Sequence, residues 1–163
     1  MKSSVIFTIV FLFLTSNALA AGSASSTPAV SDYLKTYNSG VDLMRAKEFE
    51  SAEKRFREAL SMKERFAEAH NNLAYTLRKQ GPDHFDEALM HYNRAIELNP
   101  DLPEPYMYRG VLYVQMDNKT LALKDHQKLI EMGSPLAAEL EYVVANGKEK
   151  EPEQFFGVSG RIN

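Results

Sequence analysis

FAEAHNNLAYTLRKQGPDHFDEALMHYNRAIELNP, residues 66–100, decides how this chain folds. It reads as two short amphipathic helices joined by a polar turn. In the first, AEAHNNLAYTLRKQ, Ala69, Leu73 and Leu77 recur every four residues on one face. In the second, FDEALMHYNRAIEL, Ala88, Tyr92 and Ala95 or Ile96 stack in the same way. Ala74, Ala88 and Ala95 are small where two helices must approach closely, and Leu73 and Tyr92 fill the space beside them. Asn99-Pro100 stops the second helix, because a residue before proline is pushed out of the helical region.

One such hairpin cannot bury its own apolar face, so the pattern should recur, and it does. Residues 47–62 precede the second helix as an equivalent, and 118–132 follow it. Ala52, Ala88 and Ala122 then align at spacings of 36 and 34 residues, as do Phe56, Tyr92 and His126, and Ala59, Ala95 and Leu129. On the first helices Gly40, Ala74 and Gly110 align at 34 and 36. This period and small–aromatic–small pattern resembles the tetratricopeptide repeat family, over roughly residues 32–132. The middle copy matches best. His126 and Leu129 depart from the usual aromatic and alanine, and Glu64 and Ser134 replace the terminal proline. The resemblance implies an all-α, right-handed solenoid of three helix-turn-helix repeats, about 33–64, 67–100 and 103–133.

The 163 residues suggest one domain plus appendages. A formal charge of −3 leaves no basic footprint for nucleic acid. With no cysteine, neither a disulfide framework nor a thiol site is available. Lys2, the apolar run from Val5 to Leu14 and Ala18-Leu19-Ala20 predict a secretory signal cleaved after Ala20. The run is short for a membrane span, which needs about 20 apolar residues; an uncleaved anchor is the alternative. Ala21 follows the cleavage point, which excludes acylation there as a bacterial lipoprotein. Without Lys2, 18 basic and 22 acidic residues leave the mature chain at −4, with no membrane span expected. The expected location is the periplasm of a two-membrane bacterium, or otherwise outside the cell.

Residues 21–30 are small, polar and proline-bearing, as in a disordered linker. Ser31 or Asp32 is placed to cap the first helix. GPDHFD, 81–86, makes the middle turn two residues longer than in the third copy, either as a ligand-contacting loop or as a tolerated insertion. Asp101 is expected to cap the fifth helix, with Glu104 reaching back and Pro103 in the first turn. Gly133 reads as a left-handed stop, and Ser134-Pro135 starts a last helix ending at Gly147. That helix, within 134–147, would close the stack. Asn118 either caps the sixth helix or, in a eukaryote, accepts a glycan at Asn118-Lys119-Thr120. In the tail, 148–163, the charged part should be solvated. Phe155-Phe156-Gly157-Val158 should fold back onto the domain, plug its own groove or meet a partner.

The chain carries no phosphate loop, nucleophile elbow or HExxH, and none of its four histidines pairs at i, i+4 with another. No catalytic residue, metal ligand or cofactor is expected. The resemblance implies instead a concave groove lined by the first helix of each hairpin. Its candidate partner-binding residues are Tyr37, Val41, Met44 and Arg45 in the first repeat, Asn71, Tyr75, Arg78 and Lys79 in the second, and Met107 and Val111 in the third. Leu34, Glu68, Glu104, Val114 and Gln115 lie on the same inner helices; for Leu34, Val41 and Val114 the alternative is burial by neighbouring helices. At the positions where one branch of the family grips chaperone carboxylates this chain has Tyr37, Val41, Asn72, Glu104 and Tyr108. Only Asn72 matches, and Glu104 would repel a carboxylate. The expectation is a non-enzymatic adaptor of the cell envelope binding a peptide or helix in its groove. The alternative is a structural subunit of an envelope or secretion complex, contacting partners through its outer helices and the FFGV tail.

Overall fold

The computed structural model describes residues 30–150 and 160–162; the signal segment, the linker up to residue 29 and the FFGV motif lie outside these residues. Seven helices follow in order: α1 (Val30–Arg45), α2 (Phe49–Met62), α3 (Ala67–Gln80), α4 (Phe85–Leu98), α5 (Pro103–Gln115), α6 (Lys119–Glu131) and α7 (Leu136–Asn146). Each odd–even pair up to α6 is an antiparallel hairpin, and α2 and α4 connect them by packing also on α3 and α5. The first helices touch along the stack, α1 on α3 and α3 on α5, whereas α2 and α4 make no such close backbone approach. The stack therefore curves, with α1, α3 and α5 inside. Helix α7 closes it by packing on α5 and α6.

The repeated positions form the spine of the core. Ala52, Ala88 and Ala122 are fully buried, as are Phe56 and Tyr92, and Ala59, Ala95 and Leu129. Burying a side chain of the size of Phe56 or Leu129 stabilises by roughly 1.5–3 kcal/mol, so the small and large columns act together. His126, in the aromatic column, is only half-buried. The glycines on the inner helices permit close approach. A Cβ on Gly40 would lie 2.7 Å from the Phe56 ring, and one on Gly110 would overlap Leu140 of α7.

The local signals differ in how they are used. Asn118 caps α6, its Oδ1 accepting from the Leu121 N–H at 3.2 Å. Gly133 and Gly147 take the left-handed conformation that ends their helices. In the middle turn Pro82–His84 form one turn of 3₁₀ helix, and the His84 N–H donates to the Gly81 carbonyl. Two expectations are corrected. Val30 is already helical, so Asp32 sits in the first turn of α1 and not before it. Asp101 does not cap α5. Leu102 takes that position, because Asn99 Oδ1 accepts from the Asp101 N–H and turns the chain one residue later.

Candidate functional site

The concave face is unusually polar inside. Asn71 Nδ2 donates to Asn72 Oδ1 at 3.2 Å, and Asn72 Nδ2 donates to the Tyr37 hydroxyl at 3.0 Å. The Tyr37 hydroxyl in turn donates to the Gly160 carbonyl at 2.9 Å. Tyr37 is held between Phe56 and Phe66, so its ring belongs to the core while its hydroxyl lies on the groove side, between Asn72 and Gly160. Burial, then the charge of Glu68, raise that hydroxyl well above the usual tyrosine range, so it stays a donor.

One residue along α1, Asn38 holds the backbone of Ile162 at both ends. Its Nδ2 donates to the Ile162 carbonyl at 2.7 Å, and its Oδ1 accepts from the Ile162 N–H at 2.9 Å. Ile162 packs on the core, and Arg161 reaches Asp42 at 3.2 Å. Residues 160–162 are thus a non-helical segment read mainly through their main chain by α1.

A second anchor lies on α3. The Arg78 guanidinium makes a two-pronged contact with Glu149, both bonds at 3.0 Å, and also donates to Gln115 Oε1 at 3.2 Å. Its side chain is 0% exposed. The rings of Tyr75 and Tyr108 lie 5.3 and 5.5 Å from the guanidinium carbon and meet each other edge to face. Burial pushes the Tyr75 hydroxyl up to about 12. At Glu149 burial works toward protonation, but Arg78 and then Lys79, 3.6 Å away, outweigh it and hold the carboxyl below its ordinary range. The two anchors differ in sign. Glu68 and Glu104 belong to the Tyr37 end, where burial and then Glu68 raise the Glu104 carboxyl.

Of the residues read from the sequence as groove-lining, Arg45 and Lys79 are exposed. Tyr37, Val41, Met44, Asn71, Tyr75, Arg78, Met107 and Val111 are buried in this arrangement, so their floor is closed and not open to solvent. The charged tail is not freely solvated as expected: Glu149 is bound at Arg78, and Lys150 pairs with Glu139. Sequence reasoning missed Asn38 and Asp42. Their signal is positional, since each directly follows an inward residue, Tyr37 and Val41, and so borders the groove. Among the described residues no three His, Asp or Glu side chains converge as a metal site, and no helix is long and apolar enough to cross a membrane.

Residues 84–117 match the family model of the TPR repeat, a span that runs from the middle hairpin into the next. The chain is 36% identical over 105 residues to the tetratricopeptide repeat protein 36 homolog of Drosophila pseudoobscura pseudoobscura, covering 61% of this chain and 55% of that one. It therefore spans about half the length of this curated relative. A shorter stretch of 46 residues, 28% of the chain, is 46% identical to UDP-N-acetylglucosamine–peptide N-acetylglucosaminyltransferase of Giardia intestinalis, of which it covers 3%. Among solved structures the fold is similar to the first TPR of Spaghetti (RPAP3) bound to the HSP90 peptide SRMEEVD. The TM-score is 0.64 at 16% identity, covering 72% of this chain and 93% of that one.

Proposed function

The chain belongs to the tetratricopeptide repeat family, and from that premise we propose that it is a non-enzymatic adaptor whose concave face binds an extended segment of another protein. The observation that carries this reading is the capture of residues 160–162 by α1. Asn38 satisfies both the N–H and the carbonyl of Ile162, and Tyr37 the carbonyl of Gly160, which is how a groove holds an extended peptide irrespective of its side chains. A similar fold holding a peptide supports the same use of this face. The peptide there ends in acidic residues, and Glu104 at one of the corresponding positions argues for a different ligand here.

The adaptor acts in the envelope or outside the cell, after export directed by residues 1–20. This part rests on the apolar run and the Ala-Leu-Ala motif, and is tested by the N-terminal residue of protein purified from its native cell. Ala21 is the expected residue; an intact Met1 in a cytoplasmic fraction overturns it.

The groove is tested with a photo-crosslinking residue at Asn38 or, as a comparison, at Leu123. Capture of a protein partner from Asn38 and not from Leu123 is expected. The reverse result would favour a structural subunit that uses its outer faces. That second reading has one supporting observation: Leu123 and Ile130, seven residues apart on the same side of α6, are each 51% exposed, and Met90 on α4 is 56% exposed.

A further inference from the structure

We propose that the groove selects segments carrying a carboxylate for Arg78 and, further along, a basic residue for Asp42 followed by an apolar one that packs on the core, and that the chain's own C-terminal residues occupy both places in cis and must be displaced. The inference rests on the reading of the concave face as a peptide groove, and it names the partner's chemistry and the step that precedes binding.

Charge complementarity carries the argument. At one end a guanidinium whose side chain has no exposed surface is met by two carboxylate oxygens, framed by Gln115 and two tyrosine rings. An occupant without an acid would cover that cation unpaired, which is strongly unfavourable. At the other end Asp42 takes a guanidinium, and Glu68 and Glu104 lie near the Tyr37 hydroxyl, so an acidic residue is repelled there. The groove is therefore polar along its length and accepts a segment in one direction. Glu149 and Arg161 of this chain satisfy that order.

The contacts at the Asp42 end are suited to exchange. In the described residues 160–162, Asn38 and the Tyr37 hydroxyl hydrogen-bond to main-chain atoms, which any partner also offers. Arg161 and Asp42 are each about half exposed, so their pair is screened and weak. What keeps the tail in place is its covalent attachment, which gives a local concentration on the order of millimolar. A free segment with the same contacts must compete against that concentration, and a partner succeeds by offering a better acid at Arg78 or more apolar contact.

The test uses the full chain carrying Glu149→Arg with Arg161→Glu, which repels the tail from both anchors, and a fluorescent peptide of residues 148–163, KEKEPEQFFGVSGRIN, as the probe. The released variant should bind this peptide at least about tenfold more tightly than the unaltered chain, by the effective concentration of the tethered tail. Adding Asn38→Ala, or placing Gln at the Glu149 position of the peptide, should each weaken binding about tenfold or more, as expected for a hydrogen-bonded or charged anchor. If the released variant lacks its helical circular dichroism, Glu149→Gln with Arg161→Glu, which places no cation beside Arg78, gives the same comparison. Equal binding by released and unaltered chains overturns the proposal. A random library of extended peptides, offered to the same variant, separates the two levels. Selected peptides lost on Asn38→Ala, beside a tail peptide that does not bind, would sink this inference and leave the groove function standing. No Asn38-dependent peptide at all would sink both.

Discussion

Helices α3 and α4 are each 14 residues long and stand in the same hairpin, yet eleven side chains of α3 are buried against three of α4. The difference comes from position in the curve. Helix α3 touches α1, α2, α4 and α5, whereas α4 lies against α3 and α5 and turns its other side to water. Buried polar groups must find partners, so the polar side of α3 forms an internal network. Thr76 donates to the Asn72 carbonyl, Asn72 to Tyr37, and Arg78 to Glu149 and Gln115. The polar side of α4 holds mostly surface pairs such as Arg94–Glu97, although its Asn93 accepts from Arg109 of α5. Polarity on α3 is thus mostly turned inward, and on α4 it is mostly solvated.

The largest expected effect separates the two helices directly. Arg78→Ala should destabilise the domain by about 2–3 kcal/mol, because it removes a fully covered side chain from beside the Tyr75 and Tyr108 rings and leaves the half-buried Glu149 carboxylate with Lys79 alone. Arg94→Ala on α4 should cost under about 0.5 kcal/mol. Urea unfolding of both variants checks this, and equal effects would break the inner–outer contrast.

The seam between the helices should respond to acid. His70 of α3 and His91 of α4 stack, with their Nδ1 atoms 2.9 Å apart. The Glu64 carbonyl can only accept, so His70 Nε2 carries the proton that it receives, and His91 Nδ1–H donates to His70 Nδ1. Burial lowers His70 below its ordinary value, and burial followed by His70 lowers His91 to about 4. Glu64, Glu87, Arg57 and Arg94 are the charged groups facing the pair, and their opposing signs do not restore the lost affinity for protons. The unfolded chain, with an ordinary value near 6.5, then binds more protons than the folded one below that pH. Stability should be full above about pH 6.5 and fall as pH drops toward 4, by on the order of 2 kcal/mol. His91→Gln should flatten that slope in denaturation midpoints measured between pH 7 and 4.

Gly110→Ala tests the inner face at the closing helix. Its Cβ would overlap Leu140, so about 1–2 kcal/mol should be lost, with early loss of amide-exchange protection in α7. The smallest effect belongs to the turns. Lys47 and Asp117 adopt positive φ, 63° and 58°, where glycine is unstrained. Lys47→Gly or Asp117→Gly should each raise stability by roughly 0.5 kcal/mol, read as a small rise in Tm.

The helices were legible because each is specified locally. The spacing of Ala69, Leu73 and Leu77, the stop at Asn99-Pro100 and the glycine at 147 act within a few residues of where they stand, and the observed helices α3 and α4 have the bounds read from the sequence. The repeat was legible because one hairpin's apolar face demands another. Caps were less so: Asp101 and Asn99 compete for the same turn, and only the realised geometry chooses Asn99.

Local pattern therefore determined the helices, the period and the residue types on the inner face of residues 66–100. It could not say what covers that face. A helical pattern distinguishes an apolar stripe from a polar one, but whether the polar stripe meets water or another part of the chain depends on contacts more than a hundred residues apart. Tyr37 to Gly160 and Asn38 to Ile162 are such contacts, and Arg78 to Glu149 spans 71. The sequence marked Tyr75, Arg78 and Lys79 as the place to meet a ligand; the tertiary structure decided that an acid from the chain's own tail is already there.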